Sequence, residues 1–130
     1  MVFTISFFDI EKRNGMQPVG REILLSFWKV HILHHAAEAP VHGQWITLEL
    51  RRHGYEISPG TLYPLLERLV RRGWLSCQRD RRGGLRARKD YRLTAKGRKV
   101  LKLIREQVDE LYREVVLEAD HHHHGKNPHA

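Results

Sequence analysis

A single cysteine, Cys77, excludes any disulfide within the chain and fits a reducing, cytoplasmic setting. Acidic residues are scarce beside basic ones, 15 Asp and Glu against 23 Lys and Arg, which leaves a formal net charge of +8. No apolar run approaches the roughly 20 residues needed to span a bilayer, so a membrane is not an expected partner. Residues 1–10 are rich in apolar side chains but lack a basic start and a cleavage site, and Asp9 interrupts them, so they do not read as a secretory leader. They read instead as an arm packing on a dimer, or as sequence ahead of a translation start at Met16. Neither a Gly-rich phosphate loop nor a nucleophile, base and orienting acid in a recognised arrangement occurs, which argues against an enzyme. A chain of 130 residues has room for one domain with appendages.

The clearest signal lies in SPGTLYPLLERLVRRG, residues 58–73. Ser58 suits an N-cap and Pro59 the first helical position, where its missing N–H would have been unpaired anyway. Leu62, Leu65, Leu66, Leu69 and Val70 follow at i, i+3, i+4, i+7 and i+8, a single apolar stripe for a core. The opposite face carries Thr61, Tyr63, Arg68, Arg71 and Arg72, hydroxyls and guanidiniums able to reach phosphates or base edges, with Gly60 allowing close backbone approach. Pro64 removes a hydrogen bond one turn in, which predicts a kinked or tightened first turn. Gly73 ends the helix.

Beyond Gly73 the period changes to two. Leu75 and Cys77 share one side of a first strand, Tyr91 and Leu93 one side of a second, and Gly83-Gly84 supplies the turn of a hairpin. From residue 79 to 92, Arg79, Arg81, Arg82, Arg86, Arg88, Lys89 and Arg92 face Asp80 and Asp90, a net charge of +5. Residues 67–105 carry fifteen basic and three acidic side chains, so the positive charge is concentrated on one helix-and-hairpin unit. Such concentration suits a polyanion, and a basic finger of this kind can lie along a phosphate backbone.

Gly-Thr-Leu-Tyr-Pro at 60–64, the basic hairpin and Tyr-Arg-Leu-Thr-x-x-Gly at 91–97 together resemble the PadR family of bacterial winged-helix transcription regulators, over about residues 21–116. The resemblance implies a mainly α fold with a small β-hairpin: a winged helix-turn-helix domain plus a C-terminal dimerisation helix. It implies a homodimer formed through the C-terminal and N-terminal helices, binding an inverted-repeat operator in double-stranded DNA, usually as a repressor. Carried over by position, Thr61, Tyr63 and Arg68 fall on the DNA-facing side of the recognition helix and residues 79–89 form the wing. The expected DNA-binding set is Ser58, Gly60, Thr61, Tyr63, Arg68, Arg71, Arg79, Arg81, Arg82, Arg86, Arg88 and Lys89. Relatives take aromatic or cationic small-molecule effectors at the dimer interface, and Trp28 and Tyr112 are candidates to line such a cavity. The second helix departs from the family pattern, reading His42-Gly43-Gln44-Trp45 where Tyr-Gly-Tyr-Glu or similar is usual.

The remaining segments fit this division: residues 1–20 an extension or arm, 21–93 the DNA-binding domain, 94–118 the dimerisation helix and 119–130 a His-rich tail. Ile23, Leu24, Phe27, Trp28 and Ile32 mark a long first helix ending before Pro40, apolar over more than half its circumference. A second helix over about 43–52 pairs Ile46 with Leu50 and stops at Gly54. Thr94 can cap a last helix, in which Leu101, Ile104, Val108, Leu111 and Val115 recur at 3, 4, 3, 4, a two-heptad seam for a partner chain. The runner-up function is a winged-helix protein-interaction module whose basic surface meets an acidic partner.

Three further features stand apart. His31, His34, His35 and Glu38 have the i, i+3, i+4, i+7 spacing of a zinc, nickel or copper site in a metal-responsive regulator, against the plainer reading of one buried and two solvated histidines. The plainer reading leaves no metal and no cofactor expected. His121 to His124 form a short run in the tail, read as a disordered terminus rather than a metal-capturing one. Cys77, on the inward side of its strand beside arginines, is either a small buried hydrophobe or a redox-sensitive thiol.

Overall fold

The computed structural model describes residues 17–80, 82, 84 and 87–118. The expected N-terminal arm before Gln17, Arg81, Gly83 and Arg86 of the wing, and the His121 to His124 run lie outside the described residues. The elements run in the order α1 (Gln17–Glu38), α2 (Gly43–Arg52), α3 (Pro59–Arg71), β1 (Leu75–Arg79), β2 (Lys89–Leu93) and α4 (Ala95–Tyr112), which continues as a π-helical end over Arg113–Glu118.

Helix α1 begins at Gln17, inside the stretch read as an extension, and stops at Glu38, because Pro40 disfavours helical geometry at the residue before it. Leu24, Trp28, Ile32, Leu33 and Ala36 are buried along one side. After Pro40, Val41 donates its N–H to the Tyr91 carbonyl (3.0 Å) and accepts from the Tyr91 N–H (2.7 Å), tying the α1–α2 connection to the hairpin. His42 then caps α2, its Nδ1 accepting from the Trp45 N–H at 3.3 Å. Ile46 and Leu50 enter the core, and Gly54, at φ 88°, turns the chain away after the C-cap.

In α3, Leu62, Leu65, Leu66 and Leu69 are each no more than 1% exposed. Burial of each contributes about 1.5–3 kcal/mol and fixes the rotation of the helix. The cap of α3 differs from expectation. The Ser58 hydroxyl bonds to Thr61 Oγ1 (3.2 Å) and no backbone N–H reaches it. The Ser58 carbonyl instead accepts from both Thr61 N–H (3.0 Å) and Leu62 N–H (2.9 Å), a tightened first turn before Pro64, after which the helix runs unbroken to Arg71. At the far end Gly73, at φ 77°, allows paired closing bonds from Gly73 N–H to the Val70 carbonyl and from Trp74 N–H to the Leu69 carbonyl.

The strands pair antiparallel with Leu75 opposite Leu93, Cys77 opposite Tyr91 and Arg79 opposite Lys89. Leu75, Tyr91 and Leu93 are buried, but Cys77 is exposed, because only the first residue of β1 lies over the helical core. The reading of Cys77 as a buried small hydrophobe is therefore corrected.

Thr94 caps α4 by accepting from the Gly97 N–H (2.9 Å) and bonds back to the Gly73 carbonyl, which fastens the start of α4 to the end of α3. Gly97 is buried in this junction. Leu101, expected on a partner-facing seam, is corrected to a core residue: it is 2% exposed and packs inside its own chain. Ile104 is half-buried against the same core, whereas Val108 and Leu111 are exposed. Val115 is exposed too, but it lies in the π-helical end, where the wider turn breaks the heptad phase assumed for it. Three packed helices, a hairpin and an added C-terminal helix make a winged helix-turn-helix fold.

Two measurements probe this packing. A Cβ at position 97 would overlap the Trp74 carbonyl and the Leu93 side chain. Gly97→Ala is therefore expected to lower stability by about 1–3 kcal/mol in urea unfolding, and an unshifted midpoint would contradict the junction. Burial, with a smaller contribution from Cys77, raises the Tyr91 phenol from 10.0 to about 12. The folded chain thus keeps a proton that the unfolded chain loses in that window, so stability falls as pH rises from 10.0 to about 12. Tyr91→Phe is expected to flatten this region of the stability–pH curve, whereas Tyr63→Phe leaves it in place.

Candidate nucleic-acid interface

With its leucines turned inward, α3 presents Ser58, Gly60, Tyr63, Arg68 and Arg71 to solvent, and Thr61 is half-buried at one edge. Thr61 is already engaged: Arg21 of α1 donates to its Oγ1 at 3.2 Å, alongside the Ser58 hydroxyl. Arg21 therefore borders the exposed face on the α1 side. Glu67 is also exposed, an acidic side chain among the basic ones. Arg72 sits with its guanidinium 5.2 Å from the Trp74 ring centre, a cation–π contact that holds it near the start of the hairpin.

Tyr63 marks the other edge. Its ring rests on the first turn of α2, where a Cβ on Gly43 would come within 2.6 Å of the Tyr63 hydroxyl oxygen. Glycine at 43 leaves room for that ring. From here a polar groove of about 420 Å³ runs to the base of the hairpin, lined by His42, Gln44, Tyr63, Arg79, Arg88 and Lys89. The groove thus joins Tyr63 of α3 to Arg79, Arg88 and Lys89 at the base of the hairpin.

The hairpin beyond the strands is held by local bonds. The Asp80 N–H reaches the Arg88 carbonyl (3.3 Å), the Asp80 carboxylate accepts from the Arg82 N–H (3.1 Å), and the Ala87 N–H reaches the Gly84 carbonyl (3.2 Å). Gly84, at φ 63°, supplies the positive backbone angle of the turn. Arg79, Arg82 and Arg88 are exposed and Lys89 is half-buried. Arg88 pairs with Asp90 at 3.3 Å, a surface contact worth at most about 1 kcal/mol that leaves the guanidinium available to another anion.

Sequence reasoning missed Arg21, His42 and Gln44. Arg21 stands 40 residues from Thr61, and no local pattern signals that contact. His42 and Gln44 lie where the sequence departs from the family pattern, and that departure was the available signal.

Away from this surface, Val30 and His34 of α1 and Ile104, Val108 and Tyr112 of α4 line an apolar groove of about 360 Å³. Trp28, considered as an effector-lining residue, is corrected: it is 4% exposed and packs edge-to-face on Tyr55 in the core. The histidines of α1 divide into two groupings, His34 and His35 with Glu38, and His31 and His35 with His53 from the end of α2. Among the described residues no helix is long and apolar enough to cross a membrane.

Comparison with known proteins agrees with this architecture. The sequence profile of the PadR-like family of transcriptional regulators matches residues 32–103. The transcriptional regulator Rv3488 of Mycobacterium tuberculosis is 50% identical over 96 residues, covering 74% of this chain and 89% of the relative. Among solved structures, a PadR-like transcription factor from Bacteroides fragilis superposes with a TM-score of 0.66 at 28% identity, covering 75% of this chain and 95% of the other. A PadR family transcriptional regulator from Eggerthella lenta gives 0.62 at 30% identity, covering 78% and 92%. The match through α3, the hairpin and the start of α4 places the chain in the PadR-like family of transcriptional regulators.

Proposed function

We propose that this regulator acts by binding double-stranded DNA as a homodimer, reading an inverted-repeat operator and repressing transcription there. The observation that carries this reading is the exposed face of α3, with Arg68 and Arg71, joined through Tyr63 to Arg79, Arg88 and Lys89 by one polar groove. Residues 21–93 supply the DNA-binding unit and residues 94–118 the dimerisation helix. Helix α3 enters the major groove, with Ser58, Gly60 and Thr61 close to the backbone and Tyr63, Arg68 and Arg71 toward base edges. Arg79, Arg81, Arg82, Arg86, Arg88 and Lys89 lie along phosphates. A twofold dimer presents both recognition helices to one face of the duplex, so its half-sites lie about one or two helical turns apart.

Support for the dimer comes from apolar side chains that the chain leaves uncovered. Val108, Leu111 and Tyr112 on α4 are about half-exposed, as are Ile23 and Phe27 one turn apart on α1. Val30 and His34 carry the α1 stripe into the groove beside α4. Exposed apolar side chains gathered on neighbouring helices favour burial, and a second copy is the partner this reading assigns to them. The same groove, with Tyr112 on its wall, is where an apolar or aromatic effector fits.

Fluorescence anisotropy against the protein's own promoter fragment and a scrambled duplex, at two salt concentrations, tests the DNA reading. Selective binding that weakens steeply with salt supports it, and equal weak binding to both duplexes contradicts it. Tyr63→Ala or Arg68→Ala is expected to reduce discrimination between the two by about 1–3 kcal/mol. Arg82→Ala with Arg88→Ala is expected to weaken both alike and to reduce the salt slope by about two units. Leu111→Glu is expected to shift the protein toward monomer in sedimentation, with loss of operator affinity. A dimer unchanged by Leu111→Glu would move the interface elsewhere.

A further inference from the structure

Histidine is unevenly placed in this chain, and the fold concentrates it. His31 and His35 lie one turn apart on α1, and α2 ends by delivering His53 beside them, although it is 18 residues further along the sequence. One ring nitrogen from each of the three lies within 4.8 Å of the others. The rings of His31 and His53 have their centres 5.1 Å apart, and those of His31 and His35 are stacked at 6.3 Å. Glu49, one turn before His53, places its Oε1 3.2 Å from His53 Nε2 and 3.6 Å from His35 Nε2.

Two properties of this cluster suit a cation better than they suit a core. His35 is largely buried, yet its Nδ1 makes no hydrogen bond and has only the Glu38 carboxylate at 3.7 Å beyond it. The Glu49 carboxylate is held by Arg52 at 2.6 Å, and a hydrogen-bonded carboxylate is the usual outer support of a ligand set. Tyr55 and Trp45 close the sides through ring contacts to His31 and His35. His53 is 41% exposed at its side chain and leaves a way in.

We propose that His31, His35 and His53, with Glu49 orienting His35 and His53, form a binding site for one divalent transition-metal ion of the zinc class. Three imidazoles match the donor preference of zinc and leave a fourth position to solvent, with small side-chain rotations bringing the donors to ligand distance. The set differs from the spacing visible in sequence, because His53 replaces His34, which turns instead toward Glu38 at 3.4 Å. An ion held here ties α1 to the end of the helix that supports Tyr63 at its other end.

The test uses cobalt(II) as the probe and the full, untagged chain with His121 to His124 replaced by alanine, which removes the tail as a competing ligand. This protein is expected to bind one cobalt ion per chain, with the intense visible absorption of a four-coordinate nitrogen and oxygen site. His31→Ala and His53→Ala in that background are each expected to weaken binding by about tenfold or more, whereas His34→Ala leaves it unchanged. Circular dichroism checks that both variants fold, and exposure of His53 makes His53→Ala the safer of the two. Absence of cobalt absorption in the tail variant would overturn the proposal. So would loss of binding in His34→Ala with retention in His53→Ala, which would place the ion on His34, His35 and Glu38.

Discussion

Everything in this molecule depends on how four leucines of α3 are buried. Leu62, Leu65, Leu66 and Leu69 cover the inner arc of the helix without a gap and meet Ile32 and Leu33 of α1, Ile46 and Leu50 of α2, and Leu75 of β1 in one core. A helix locked on that arc cannot rotate without exposing several of them, at about 1.5–3 kcal/mol each. Its outer arc is therefore set by the core rather than by any ligand. Gly60, Tyr63, Arg68 and Arg71 face outward because the leucines face inward.

The second constraint joins α3 to the hairpin and to α4. Gly73 turns the chain, the Thr94 side chain bonds to its carbonyl, and Gly97 lets the first turn of α4 close onto Trp74. Val41 adds a short ladder to Tyr91 from the other side. The hairpin is thereby held at both ends, and its basic residues meet Tyr63 across a shared groove. Farther out, the Asp80–Arg88, Arg82–Asp80 and Ala87–Gly84 bonds continue this support along the described part of the hairpin.

Much of this was legible in the sequence, and the failures have physical reasons. The leucine stripe, Gly73, the Thr94 cap and the limits of α2 were readable because periodicity and capping are local. Ser58 takes the N-cap position its sequence context suggests, but its hydroxyl bonds to Thr61 Oγ1 rather than to a backbone N–H, a choice that a cap position does not dictate. The seam on α4 was read as uniform, whereas the start of the helix packs on its own core and the end becomes π-helical, so Leu101 and Val115 fall out of the pattern for different reasons. Cys77 alternates correctly with Leu75 but lies past the edge of the helical layer. Contacts across long sequence separations were invisible altogether. Arg21 reaches Thr61, and His53 joins His31 and His35, only through the packing of three helices.

The measurement that tests the central claim most directly is amide hydrogen exchange of the protein with and without its promoter duplex. The account predicts slowed exchange in the first turns of α3 and along residues 79–89 on binding DNA, with the exposed face of α4 unchanged between the two states. Protection confined to α4, with α3 and the hairpin unaffected, would contradict it.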